Sequence, residues 1–88
     1  MEVSFLKKFS KDLDKISNPN DLKAIADVID LVKKANRIMD IPGTKKLVGF
    51  ADAYRIRHGD YRIGIFVNKN AVIFARVAHR KDIYKIFP

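Results

Sequence analysis

Arginine, histidine and tyrosine are the side chains of this chain best suited to chemistry, and they concentrate in its second half. Residues 45–88 contain ten Lys or Arg against three Asp or Glu, whereas residues 1–44 contain eight against seven. The second half therefore supplies nearly all of the net charge of +8. A basic surface confined to one part of a domain favours polyanion binding, with nucleic acid as the leading candidate. A solvated basic face without a ligand is the alternative.

Guanidinium, imidazole and phenol groups together suit the cleavage of RNA without a metal ion. That reaction needs a base for the 2′-hydroxyl proton, cations for the phosphorane charge and an acid for the leaving 5′-oxygen. His79, Arg80 and Tyr84 lie close together in the sequence, and Tyr84 falls one turn beyond Arg80 if this segment is helical. A single histidine near a strand end is more often a surface or capping residue, so residue type alone leaves a structural role open.

Other chemistries lack the residues that they need. The chain has no cysteine, which excludes disulfides, thiolate metal sites and a cysteine nucleophile. It has no carboxylate pair and no HExxH, GxxxxGK or catalytic-triad spacing, so metallohydrolases, NTPases and serine hydrolases are disfavoured. We therefore expect no metal and no cofactor. No secretory signal and no apolar run near the roughly 18 residues of a membrane span are present, so we expect a cytoplasmic protein without a membrane partner.

Two helices are predicted in the first half, after a short strand over residues 2–5. The first helix has apolar residues at spacings of three and four, namely Leu6, Phe9, Leu13 and Ile16. The second begins at the N-cap signal Asn18-Pro19. Its apolar stripe is Leu22, Ile25, Ala26, Ile29 and Val32. Together they form a helical hairpin with one face to bury.

The apolar period changes to about two from Ala53 onward, which predicts a three-stranded antiparallel meander. With a two-residue turn at His58-Gly59 and a three-residue loop over 68–70, the helices cover one face. The opposite face then presents four arginines, Arg55, Arg57, Arg62 and Arg76. Like charges facing each other across a sheet are destabilising, so a multiply charged anion is the expected ligand. The alternative is that Asp52, Asp60 and Asp82 neutralise part of this face.

These elements predict one α+β domain over residues 1–88, with the element order βααβββα. A two-helix hairpin packs on one face of a small, mainly antiparallel sheet, and a short helix ends the chain.

Two segments resemble the RelE/ParE superfamily of toxins from type II toxin-antitoxin systems. Residues 54–63, YRIRHGDYRI, match the family pattern Y-R-x-R-x-G-D-Y-R, and residues 76–84, RVAHRKDIY, match R-V-G-H-R-x-x-x-Y. Lys46 opens a K-L-x-G segment that is similar to the one preceding the first motif. The chain departs from the family at Val48, where some members have a basic residue, and at Ala78, which replaces the usual glycine.

The resemblance implies a RelE-like mRNA interferase, a metal-independent endoribonuclease that cleaves ribosome-bound mRNA by 2′-hydroxyl attack. The catalytic residues that it implies are Arg62, Arg80, Tyr84 and the adjacent His79. The expected RNA-binding residues are Arg55 and Arg57, which the resemblance implies, together with Arg76 from the predicted arginine face and Lys46. The expected partners are mRNA, the 70S ribosome and a cognate acidic antitoxin. The alternatives are a ParE-type toxin that inhibits DNA gyrase and a nucleic-acid-binding module without activity.

The predicted strand register also places an apolar patch on the arginine face. The patch consists of Phe66, Val72 and Phe74. Because the predicted helices lie on the other face, we expect an antitoxin segment to dock its apolar residues there. The alternative is that the C-terminal tail, through Ile83 and Phe87, folds back over the patch.

Overall fold

Five strands, three helices and a 3-10 turn make up the α+β fold, which a computed structural model describes for residues 1–88. The strands are β1 (Glu2–Phe5), β2 (Thr44–Lys46), β3 (Ala53–His58), β4 (Tyr61–Asn68) and β5 (Ala71–His79). The helices are α1 (Lys7–Asp14), α2 (Pro19–Lys34) and α3 (Ile83–Ile86), and the 3-10 turn covers Ile38–Asp40. None of the helices has both the length and the apolar character needed to cross a membrane.

The sheet has the order β1-β5-β4-β3-β2, and only the β1 and β5 pair is parallel. The predicted fold class, with its mainly antiparallel sheet and short C-terminal helix, is therefore confirmed. Strand β2 and the 3-10 turn are additions to the predicted order. Each has three residues, which is too short for an apolar period to appear in the sequence.

Helix α2 begins where the sequence predicts. The Asn18 side chain accepts a hydrogen bond from the backbone N–H of Asn20 at 2.8 Å, and Pro19 occupies the first position of α2. The buried face of α2 consists of Ile25, Val28 and Val32. Helix α1 buries Phe9 and packs beside β5, continuing along the sheet edge after β1 has ended.

Both hairpin turns differ by one residue from the prediction. His58 pairs with Tyr61, so the turn residues are Gly59 and Asp60. Asn68 pairs with Ala71 across a two-residue turn. The first turn residue has a positive φ in each case, 58° at Gly59 and 55° at Lys69. Because tight hairpin turns require this conformation and glycine adopts it freely, the first turn is centred on Gly59 and not on His58.

A β-bulge at Ala75 decides which side chains of β5 face the core. Ile65 pairs with Phe74 and Gly64 with Arg76, which leaves Ala75 without a partner. Before the bulge, the observed register differs from the predicted one by a single residue, and this reverses the two faces of β5. Beyond the bulge the difference is two residues, so the faces there agree with the prediction.

The predicted apolar patch is consequently wrong. Val72 and Phe74 are fully buried in the main core, where the Phe74 ring lies 5.5 Å from that of Phe9. Phe66 is half-buried on the outer face, but its ring packs against Phe87 at a centroid distance of 5.2 Å. The C-terminal tail therefore covers this part of the sheet, as in the stated alternative. A second small core results, with Ala53, Ala75, Ile83 and Phe87 buried together.

Candidate nucleic-acid interface

A basic groove of about 350 Å³ lies on the outer face of β2, β3 and β4. Its lining residues are Gly43, Thr44, Lys45, Arg55, Arg57, Arg62 and Tyr84. Four of the seven carry a positive charge, and no Asp or Glu is among them. A groove with this lining attracts a polyanion and leaves the cations free to contact it. We refer to it below as the arginine groove.

Strand pairing arranges the four cations in two rows. Arg57 lies directly opposite Arg62 across β3 and β4, and Lys45 lies directly opposite Arg55 across β2 and β3. Arg55 and Arg57 are two residues apart on one strand, so the rows are separated by roughly 6–7 Å along the strand direction. The structure thus brings together three of the predicted arginines.

Tyr84 reaches the groove from α3. Its side chain is 69% exposed, and the Arg55 guanidinium carbon lies 4.5 Å from the centre of its ring. This is cation–π geometry, which orients both groups. Helix α3 is anchored by Ile83 and Phe87, both buried against the sheet. Tyr84 is therefore held at the groove by packing on the other side of its own helix.

Arg62 is fixed at the β3–β4 turn. Its Nη1 donates hydrogen bonds to the carbonyl oxygens of Gly59 and Tyr61, both at 2.9 Å. These two bonds use one of the guanidinium nitrogens. The remaining N–H groups have no protein partner and are available to a phosphate.

Arg76 does not belong to the groove, which corrects the prediction for this residue. Its Nε donates to Asp12 Oδ2 at 2.8 Å and its Nη2 to Asp12 Oδ1 at 3.0 Å. The carboxylate that neutralises an arginine thus comes from α1, and Asp52, Asp60 and Asp82 form no ion pair. The pairing partner is 64 residues away in the chain, and the sequence contains no local signal for it.

Asp12 also accepts a hydrogen bond from the backbone N–H of Val77 at 3.0 Å, at the part of the β5 edge that β1 does not cover. Burial by itself would raise the pKa of Asp12. The hydrogen bonds from Arg76 and Val77 outweigh this effect, so the pKa of Asp12 lies below its ordinary value. The hydrogen bond to Asp12 correspondingly raises the pKa of Arg76.

Two other predicted site residues lie outside the groove lining. Arg80 follows β5 in a turn, where its side chain is exposed and its backbone N–H donates to Asp60 O at 2.7 Å. Lys46 pairs with Tyr54, so it lies on the opposite face of β2 from Lys45. Lys45 is the groove cation that the sequence did not predict. Side chains alternate between the two faces of a strand, so Lys45 could be placed on the groove face only if residues 44–46 were already known to form a strand.

His79 lies on the helix-covered side of the sheet, so the structure does not bring this predicted catalytic residue to the groove that Tyr84 lines. His79 pairs with Tyr61, which pairs with His58, giving a row across three strands. This row borders a separate cavity of about 370 Å³ that Asp21 and Asp60 also line. Burial, and then the carboxylates of Asp21 and Asp60, raise the pKa of Tyr61. The sheet separates this cavity from the arginine groove.

Comparison with known proteins connects these features to a family. A family model described as "ParE toxin of type II toxin-antitoxin system, parDE" matches residues 3–84. The chain belongs to the RelE/ParE toxin superfamily. Toxin RelE3 of Methanocaldococcus jannaschii is 44% identical over 90 residues, covering the full length of both proteins. This toxin is therefore a RelE homologue of a type II toxin-antitoxin system.

Solved structures of toxin-antitoxin complexes contain chains with the same fold. In the RelB-RelE antitoxin-toxin complex from Methanococcus jannaschii, the matched chain is 42% identical and has a TM-score of 0.80. The match covers 96% of this toxin and 98% of that chain. The RelE-RelB complex from Pyrococcus horikoshii OT3 contains a chain that is 23% identical, with a TM-score of 0.74 and coverage of 90% and 93%. At that identity the likeness shows the fold alone.

Proposed function

We propose that this toxin is a metal-independent endoribonuclease that cleaves mRNA, with the arginine groove as its RNA site. The observation that carries the proposal is the groove itself, in which four cations and one phenol converge with no carboxylate among them. Like charges are held opposite each other there at a cost to stability, and bound phosphates would offset their repulsion. The kinship with RelE toxins supports the same reaction.

The reaction assigned to this site is an internal transesterification. The 2′-oxygen attacks the adjacent phosphorus as its proton passes to solvent water, and the bond to the 5′-oxygen breaks, which leaves a 2′,3′-cyclic phosphate and a 5′-hydroxyl. Arg57 and Arg62 face each other at the turn and stabilise the charge that develops on the phosphorane. Arg80, just beyond β5, adds a further cation near the Asp60 end of this turn.

Tyr84 is the groove residue assigned to proton transfer. Its hydroxyl is exposed on α3, and the cation–π contact with Arg55 holds its ring over β3. A phenol in this position can donate a proton to the leaving 5′-oxygen. His79 receives no role in this scheme because it lies across the sheet from Tyr84.

The proposed partners are mRNA on the 70S ribosome and a cognate antitoxin, in the cytoplasm. Two of the matched chains were solved in complexes with RelB antitoxins. A net charge of +8 favours an antitoxin segment with acidic residues that could cover the arginine groove.

An Arg57→Ala variant tests the ribonuclease. Loss of one preorganised donor to the phosphorane is expected to lower the cleavage rate by on the order of 100-fold or more. Arg37→Ala is the matched control, because Arg37 is 81% exposed at the 3-10 turn and lies outside the groove. Primer extension on a reporter mRNA in a translation reaction would measure both, with circular dichroism to verify folding.

The family description as a ParE toxin favours one second candidate, a DNA gyrase inhibitor. The two functions predict different lesions in growth-arrested cells. Intact transcripts with double-strand DNA breaks would reject the ribonuclease in favour of gyrase inhibition. Intact transcripts and intact DNA, with retained RNA binding, would indicate a binding module.

A further inference from the structure

Lys45 is one of the four groove cations but has no individual role in the function proposed above, and it faces Arg55 across β2 and β3. We propose that Lys45 and Arg55 form a second phosphate subsite, which binds the phosphate next to the one held by Arg57 and Arg62. This inference rests on the proposed RNA-binding role of the groove. The inference is that the toxin binds two successive phosphates of one strand. A single phosphate group could contact only one of the two cation pairs.

The faces of β2 distinguish Lys45 from the adjacent lysine. Lys45 pairs with Arg55, whereas Lys46 pairs with Tyr54, which packs against the main core. Adjacent residues on a strand point to opposite sides of the sheet. Lys45 therefore lines the groove and Lys46 does not, although the two lysines have the same charge and are neighbours in the chain.

Neither member of the proposed subsite is neutralised within the protein. The three ion pairs of the chain involve Lys23, Arg37 and Arg76. Arg55 contacts the Tyr84 ring, and this contact leaves its N–H groups free for an anion. Two facing cations without a counter-charge are unfavourable in a sheet. A bound phosphate between them would remove this repulsion, as it would for Arg57 and Arg62.

The spacing of the two rows matches a nucleic-acid strand. Two residues along β3 separate the Lys45 and Arg55 row from the Arg57 and Arg62 row, a distance of roughly 6–7 Å. Successive phosphates of an extended single strand are separated by a similar distance. Because one row spans β2 and β3 and the other spans β3 and β4, the midpoints of the rows are also displaced sideways by roughly one strand spacing, about 4.8 Å. An RNA strand that crosses β3 obliquely would therefore place one phosphate at each row.

Lys45→Ala and Lys46→Ala provide a matched pair of variants. Binding of an uncleavable RNA hexanucleotide with 2′-O-methyl groups would be followed by fluorescence anisotropy at several salt concentrations. Lys45→Ala should weaken binding roughly tenfold at low salt and reduce the slope of log K against log salt by about 0.7, the value for one phosphate contact on a single strand. Lys46→Ala should change the affinity by less than about twofold.

Neutral methylphosphonate groups, introduced one at a time, would then locate the contact along the RNA. The wild type should lose affinity at two adjacent positions, and Lys45→Ala should be insensitive at one of these. Equal effects of the two lysine variants, sensitivity at a single position, or no binding by the wild type at low salt would each overturn the subsite. Because the RNA cannot be cleaved, an intact subsite in a protein that leaves mRNA uncut would reject only the ribonuclease. Conversely, cleavage with no Lys45 effect would reject only the subsite.

Discussion

Asp12 and Arg76 form the only ion pair between elements that are distant in the chain. The carboxylate accepts two hydrogen bonds from Arg76 and a third from the Val77 amide, and it is almost fully buried. It therefore joins α1 to the open edge of β5. The other two ion pairs lie within single turns on the surface and contribute little to stability.

Asp12→Asn should destabilise the fold by about 2 kcal/mol, because Arg76 loses its counter-charge while it remains largely buried. Urea unfolding at pH 7 would measure the effect. Asp27→Asn is the control, since Asp27 forms an exposed pair with Lys23 within α2 and should change stability by less than about 0.5 kcal/mol.

The contribution of Asp12 should also depend on pH. Its pKa is lower in the folded state than in the unfolded state, so the ionised carboxylate stabilises the fold fully above the unfolded pKa of about 4. This stabilisation is lost as the pH falls through the folded-state pKa. The stability difference between wild type and Asp12→Asn should therefore shrink below about pH 4, and a difference that stays constant with pH would contradict this account.

Helix α3 shows how an element that is too short to be stable alone can position a site residue. Its four residues cannot form an isolated helix, so its place depends on Ile83 and Phe87 packing against the sheet. Gly64 makes this packing possible. A Cβ atom at Gly64 would overlap the Phe87 ring, and the absent side chain leaves room for the ring to lie against β4.

Gly64→Ala should displace α3 and separate Tyr84 from Arg55, while the main core on the other face stays intact. We expect faster hydrogen exchange of the α3 amides and reduced RNA cleavage. Phe87→Ala tests whether Gly64 acts by leaving room for the Phe87 ring. If it does, adding Gly64→Ala to Phe87→Ala should change hydrogen exchange and RNA cleavage little further. Additive losses in the double variant would show that Gly64 acts by another route than Phe87.

The whole molecule consists of a main core on the helix-covered face of the sheet and a smaller core under the C-terminal tail. Phe74 belongs to the first, where it is fully buried and close to the rings of Phe5 and Phe9. Domains of this size have a stability of roughly 5–13 kcal/mol. Burying a charge at position 74 would remove most of this free energy of unfolding.

Phe74→Glu should therefore unfold the domain, whereas Phe74→Ala should lower its stability by about 3–5 kcal/mol. Phe50→Glu is a suitable control, because Phe50 is 48% exposed in the loop before β3. Circular dichroism and thermal melting would distinguish these outcomes. A Phe74→Glu protein that folds but fails to bind its antitoxin would show that Phe74 belongs to an interaction surface and not to the core.

Features that depend on local physics are predictable from neighbouring residues in the chain. The N-cap at Asn18, the change of period at Ala53 and the two motifs of the family all follow from neighbouring residues. The predicted face of Arg55, Arg57 and Arg62 is correct, although the predicted first turn is displaced by one residue. The resulting register error was two residues, and an even shift preserves the faces of a strand.

The composition of the groove, in contrast, depends on contacts that form only in the folded chain. The bulge at Ala75 changes the pairing register of β5 by one residue, so the side chains of Val72 and Phe74 point into the core. The ion pair with Asp12 holds Arg76 outside the groove, and the short strand β2 places Lys45 in the groove lining. A bulge, an ion pair across 64 residues and a three-residue strand have no periodic signal in the sequence. They form because packing and long-range hydrogen bonding favour them once the chain has folded.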